Sequence, residues 1–164
     1  MAQISVYLSL KVGNDKAVGE PSNDSIGGVD VSEAIECVRF EQGGNVGVNP
    51  RTGQPSGDRT YDPVRITKYL DASSPILAQG LTASKKCEAE FKFFRPADED
   101  GFEHFYTVTL GEARIQSLRT MVQEGDEITP PREEVTFTFS TIRWKHELGG
   151  PEHDDSWRTR PAAG

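Results

Sequence analysis

Three histidines, His104, His146 and His153, and two cysteines, Cys37 and Cys87, carry most of the metal-binding and nucleophilic capacity of this 164-residue chain. A zinc-protease helix needs two histidines four residues apart with a glutamate between them, and none of the three stands in such a pair. His153-Asp154-Asp155 falls in a polar C-terminal stretch, a poor place for a rigid metal site. Asp98-Glu99-Asp100-Gly101 opens like a calcium loop but lacks the alternating ligands and closing glutamate of an EF-hand. A solvated hairpin turn is the expectation there. Gly27-Gly28, Gly43-Gly44 and Gly149-Gly150 fit no phosphate-cradling template, and no Gly-x-Ser-x-Gly elbow exists. The residues therefore predict no catalytic group, no metal and no cofactor. They point to a binding or assembly module rather than an enzyme.

Charge narrows the partners. Asp and Glu number 26 against 18 Lys and Arg, giving a net charge of −8. Phosphate recognition needs clustered Lys and Arg, so nucleic acid and anionic membrane surfaces are disfavoured. Cys37 and Cys87 each fall in a strand-like run and read as small core thiols, the usual fate of free cysteine. That usage suits folding in the cytosol. No apolar run is long enough to span a bilayer, so membrane insertion is not expected. The N-terminus alternates apolar and polar residues and reads as a strand, not a signal peptide.

The elements that must position any site are mostly strands. Ile4, Val6, Leu8, Leu10 and Val12 alternate with polar residues. A polar connection follows over 13–30, then a strand near 34–42 with Ile35 and Cys37 on one face and Val38 and Phe40 on the other. Residues 43–63 form the longest irregular segment, rich in Gly and Pro. Such a loop in a compact domain is usually functional or disordered. A strand at 64–69 leads into the one convincing helix, about 74–84, with Ser74 as N-cap and Pro75 at the first helical position. The clearest strand, 86–95, buries Cys87, Ala89, Phe91 and Phe93. It turns at 98–101 into 105–110, and a weaker strand follows over 113–122. A polar loop occupies 123–132. The last strand, 134–145, changes parity between Phe139 and Ile142, which a bulge, a strong twist or a second packing surface would resolve. The sum is a mainly β domain over 1–146, a compact barrel or two-sheet antiparallel sandwich with one short helix, and a flexible tail over 147–164.

The phrase Ile66-Thr-Lys-Tyr-Leu-Asp-Ala-Ser-Ser-Pro-Ile-Leu77 resembles the strand-to-helix segment of the haemolysin-coregulated proteins of type VI secretion systems. Thr67, Lys68, Asp71, Ser74, Pro75 and Leu77 carry the likeness. Lys86-Cys-Glu-Ala-Glu-Phe, Phe105-Tyr-Thr-Val-Thr-Leu110 and the Phe-rich strand ending at Trp144 support it in order and spacing. The resemblance implies a phage tail-tube-like fold and six-membered rings that stack into the inner tube of a contractile injection machine. It implies partners among copies of itself, spike, sheath and small effectors held in the lumen. It also implies a protein that is cytoplasmic before assembly and then exported without a cleavable signal. In that family the long loop reaches a neighbouring subunit or ring, which makes Gly43, Gly44, Val46, Val48, Arg51, Arg59 and Tyr61 the candidate interface.

Two other readings stay open on the residues alone. One is a monomeric ligand- or carbohydrate-binding sandwich with Trp144 or the long loop at its site. The other is a hydrolase with His104 or His146 in a cleft beside a carboxylate.

Overall fold

A computed structural model describes residues 4–99, 101–122 and 131–156. Its elements in chain order are β1 (Ser5–Val12), β2 (Asp15–Ala17), β3 (Ser25–Ile26), β4 (Val29–Asp30), β5 (Ile35–Glu41), β6 (Gly44–Val48) and β7 (Pro55–Tyr61). Then come β8 (Val64–Tyr69), α1 (Ser74–Thr82), β9 (Cys87–Pro96), β10 (Phe102–Met121), β11 (Arg132–Thr138), β12 (Thr141–His146) and β13 (Glu152–Ser156).

The main sheet runs β11-β8-β5-β1-β9-β10-β12-β13, and β11 also pairs with β10, so the path returns on itself. It is not a clean barrel, because β12 and β13 leave the cycle. The result is a flattened, sandwich-like body whose two sides share β10. Alternation explains the interior. Leu8, Ile35, Ile66, Phe91, Leu110, Val135 and Phe137 are fully buried on facing strands. Phe91 meets Phe40 at 4.9 Å and Phe137 at 6.3 Å, both edge-on. Helix α1 packs beside β1 and β10. A Cβ on Gly80 would come within 2.8 Å of Val12 and 3.2 Å of Ile115, so only glycine permits this approach.

Several expectations change. Strand β10 is continuous over twenty residues where two strands were expected. It bends at Glu112, whose φ is 46°, and its register with β9 shifts between Leu110 and Ala113. Conversely, the expected strand 134–145 is two strands. The chain turns at Phe139–Ser140, and the Ser140 N–H donates to the Gly111 carbonyl at 3.1 Å. Strand β11 then follows the second half of β10 and β12 the first. This corner, not a bulge within one strand, resolves the parity conflict. In β5 a bulge between Cys37 and Arg39 puts Phe40 on the core side with Ile35 and Cys37, leaving Val38 exposed.

The 13–30 connection is not merely polar. It carries β2, β3 and β4, and 18–34 covers a second small core of Tyr7, Ile26, Val31, Ala34 and Phe94. Tyr7, which alternation placed on the polar face, is buried there edge-on to Phe94 at 5.6 Å. Gly27 and Gly28 both have positive φ, 57° and 78°, as a two-residue hairpin turn between β3 and β4 requires. Where a hairpin turn was expected at 98–101, the Ala97 N–H donates to the Gly101 carbonyl at 2.8 Å, and Asp100 lies outside the described residues. The stretch expected to be a flexible tail supplies β13, paired with β12 from Thr141↔Ser156 to Lys145↔Glu152. Residues 157–164 and the 123–130 part of the expected loop lie outside the described residues.

Candidate assembly interface

The strand-to-helix phrase forms a buried ionic lock. Val64, Ile66 and Lys68 point inward from β8, and Arg65, Thr67 and Tyr69 point out. Lys68 is completely buried, and its Nζ lies 2.7 Å from Glu133 Oε2 and 3.1 Å from Asp71 Oδ1. Ser74 Oγ accepts from Lys68 Nζ at 3.1 Å and donates to Glu133 Oε2 at 2.8 Å. The Asp71 N–H also donates to Ser74 Oγ, at 3.1 Å. The N-cap is therefore Ser73, not Ser74. Ser73 makes no side-chain cap bond to the helix, and its own N–H donates to Asp71 Oδ1 at 2.9 Å. Pro75 follows as the second helical residue, still within the turn whose N–H groups lack helical partners. Leu77 is buried beneath the helix. The Glu20 N–H reaches Asp71 Oδ2 at 3.3 Å, tying the 18–34 cover to the same point. The lock thus fastens β8, β11, α1 and the cover segment together.

The segment 43–63 carries a two-stranded hairpin, β6 with β7, whose register shifts between Val46 and Val48, in place of the irregular loop expected. Every residue of β6 is exposed, with Val46 at 39% and Val48 at 54%. Arg51 stands at the tip, its N–H bonded to Asn49 Oδ1 at 2.9 Å. Gly43 and Gly44 form the base, where the Asp62 N–H donates to the Gly43 carbonyl at 2.9 Å. Arg59 and Tyr61 do not join the exposed side. Both turn back onto β13, where Arg59 forms an ion pair with Asp155 and Nη2 donates to the Ser156 carbonyl at 2.9 Å. The Tyr61 hydroxyl donates to Asp155 as well. Hydrogen bonding from Arg59, opposed by partial burial and helped by Tyr61, holds the Asp155 carboxyl down to about 2. Burial, then the contact with Asp155, raises the Tyr61 phenol. The seven candidate residues therefore share one hairpin but divide into an exposed tip and a clasped stem.

Two residues that the sequence reading missed complete these clusters. Glu133 shares the face of Val135 and Phe137, so β11 begins with a charge aimed inward, a signal readable from alternation. Asp155 lay in the presumed tail, and no local pattern marks it.

Two sheet margins are open. The strands β5, β8, β11 and the second half of β10 pair in that order. Among the described residues, no strand continues along the β1 side of β5 past Cys37, or along the β9 side of β10 past Ala113. Residues 39–41 and 114–121 thus present backbone groups at opposite ends of one four-stranded sheet.

The other sequence candidates are accounted for structurally. His104 Nε2 lies 2.7 Å from Thr107 Oγ1, whose O–H donates to Glu147 Oε1 at 2.8 Å, so the imidazole N–H is the donor to Thr107 and His104 is not poised to take the hydroxyl proton. Burial lowers the His104 imidazole. Trp144 stacks on His153 at 5.8 Å, and its Nε1–H donates to Gln42 at 3.0 Å, so it is a packed ring rather than an open platform. Cys37 and Cys87 are both buried free thiols, and burial raises both.

Comparison with known proteins places this architecture. The family described as "Type VI secretion system effector, Hcp" matches residues 13–146. The "Major exported protein" of Pseudomonas aeruginosa is 34% identical over 155 residues, covering 89% of each chain. A crystal structure of an Hcp protein superposes with a TM-score of 0.83 over 93% of this chain and 99% of its own, at 23% identity. The secreted protein Hcp3 of Pseudomonas aeruginosa gives a TM-score of 0.73 at 26% identity, over 96% of this chain and all of its own. The sequence match and the shared architecture together establish that the chain belongs to the Hcp family, the secreted tube proteins of type VI secretion systems.

Proposed function

We propose that six copies close into a ring, the open margin of β10 in one copy pairing with the open margin of β5 in the next, and that rings stack into the inner tube of the secretion machine. The observation that carries this is the pair of unpaired margins at opposite ends of one sheet. Such a contact is heterologous, and it generates a ring when the rotation closes. Six four-stranded sheets at about 4.8 Å per strand give a bore roughly 37 Å across before strand tilt. A domain of this length is itself roughly 40 Å wide by the usual scaling of radius with length, so the six bodies lie outside the bore and the sheet's outer face lines it.

The clasped hairpin then projects Val46, Val48 and Arg51 toward a neighbouring subunit or ring. Sheath and spike would engage the finished tube, and small effectors would ride in its lumen. The chain would wait in the cytoplasm until assembly and leave with the tube, without a cleaved leader. Size-exclusion chromatography with light scattering, followed by negative-stain imaging, tests the ring. Hexameric annuli are the expected result, and a strict monomer at micromolar concentration overturns it. Nothing favours the carbohydrate-binding alternative, because Trp144 is packed against His153 and Tyr61.

A further inference from the structure

The two broad outer faces of the body differ in charge. Over β1, β9, β10, β12 and β13, cross-strand rows set Lys11, Lys92, Arg143 and Lys145 against Glu88, Glu90, Glu152 and Asp154, a balanced set. The outer face of β5, β8, β11 and β10 is not balanced. Arg39, Arg65, Arg119 and Arg132 stand there against Glu41 and Glu134. A chain whose net charge is −8 therefore keeps a surplus of arginine on one sheet face.

Both acids on that face are engaged. Glu41 pairs with Arg39, and Glu134 lies 3.5 Å from Arg65. Among the described residues no carboxylate comes within 4.0 Å of Arg119 or Arg132, and both are exposed. The basic residues of these three strand rows are arginine and never lysine. Arginine offers a planar fork that grips a carboxylate through two parallel hydrogen bonds, and it sheds water more readily than an ammonium.

We infer that this face receives an acidic polypeptide, its carboxylates seated on Arg119 and Arg132. The inference rests on the ring reading for its location, since ring closure turns this face to the bore and repeats the surplus around it. It rests on charge alone for its chemistry. The interspersed Glu41 and Glu134 suit a partner with spaced carboxylates, whereas the dense charge of nucleic acid would meet both glutamates and the field of an acidic protein.

Fluorescence anisotropy with a labelled polyglutamate peptide and the full-length chain tests it, with light scattering on the same samples. Wild type binds, and the affinity falls as salt rises. The Arg119→Gln/Arg132→Gln double variant weakens binding about tenfold or more, the scale of losing two charge-assisted bidentate contacts. Lys92→Gln/Lys145→Gln, on the balanced face, leaves it within about twofold. No binding by wild type, or equal binding by the double variant, overturns the inference. Tighter binding of single-stranded DNA than of polyglutamate overturns it in favour of nucleic acid. Rings that ignore polyglutamate sink the acidic partner alone. A monomer that binds it sinks the ring alone.

Discussion

Two ionic clusters hold this molecule together, and their surroundings make them opposites. Around Lys68, four side chains from two strands, a turn and a helix meet where the lysine is 0% exposed and Glu133 1%. Around Asp155, Arg59 and Tyr61 meet it near the surface, where the Arg59 and Asp155 side chains keep 23% and 19% of their exposure, joining a hairpin to the last described strand. A charge inside the body has no water to fall back on, so removing its partner leaves an uncompensated ion. A charge at the surface regains hydration, so losing its partner costs little stability and changes where a hairpin points. The same acid–base chemistry thus serves integrity in one place and geometry in the other.

The widest separation between the clusters should come from Lys68→Ala. Leaving Glu133 buried and unpaired costs about 3–5 kcal/mol, read as a shift in the urea midpoint. Replacing the pair together, Lys68→Met with Glu133→Leu, should recover most of that loss. A single variant losing less than about 1 kcal/mol would show that water reaches the site and that the comparison is mistaken. Ser74→Ala keeps the ions in place but removes the hydroxyl between them, and about 1–2 kcal/mol is expected by the same assay.

Asp155→Asn should leave the denaturation midpoint almost unmoved while amide exchange across 44–61 speeds up. Loss of protection throughout the barrel instead would mean that the clasp supports the core. The pH dependence has a definite sign. The folded Asp155 carboxyl sits at about 2, below the ordinary aspartate value. The clasp therefore contributes fully above about pH 4 and is lost as pH falls toward the folded value. The protection factors of the 44–61 amides, each rate referred to its intrinsic rate at the same pH, should fall over that window and stay flat from neutral pH down to it.

The smallest effect is a reporter. Cys37, the register partner of Lys68, is buried with its thiol raised by that burial, so alkylation of the native protein should be very slow by intact mass. Lys68→Ala should speed it. Fast labelling of the wild type would contradict the packing described here.

How much of this was readable in advance varies residue by residue. Strand β8 begins and ends where its alternation placed it, and the helix over Ser74–Thr82 lies inside the expected span. The inward set Cys87, Ala89 and Phe91 was equally plain. Ser74 was not, because capping is a local preference, and a buried lysine and glutamate from β8 and β11 drew its hydroxyl the other way. The hairpin at 43–61 was obscured by glycines and prolines that usually break strands, and its alternation is masked because nearly every side chain faces water. Strand β13 has almost no apolar residue to mark it, and β12 supplies the partner that local pattern lacks.

The sequence by itself determined the class of fold, the short helix and the family, because period-two alternation and a specific twelve-residue phrase are local properties of the chain. Only the tertiary structure decided that Glu133 meets Lys68, that β10 serves both sides of the body, and that Arg59 is clasped by Asp155. Those contacts join residues far apart in the chain. Their pairing depends on which strands lie side by side, and periodicity says which face a residue takes but never which neighbour it meets.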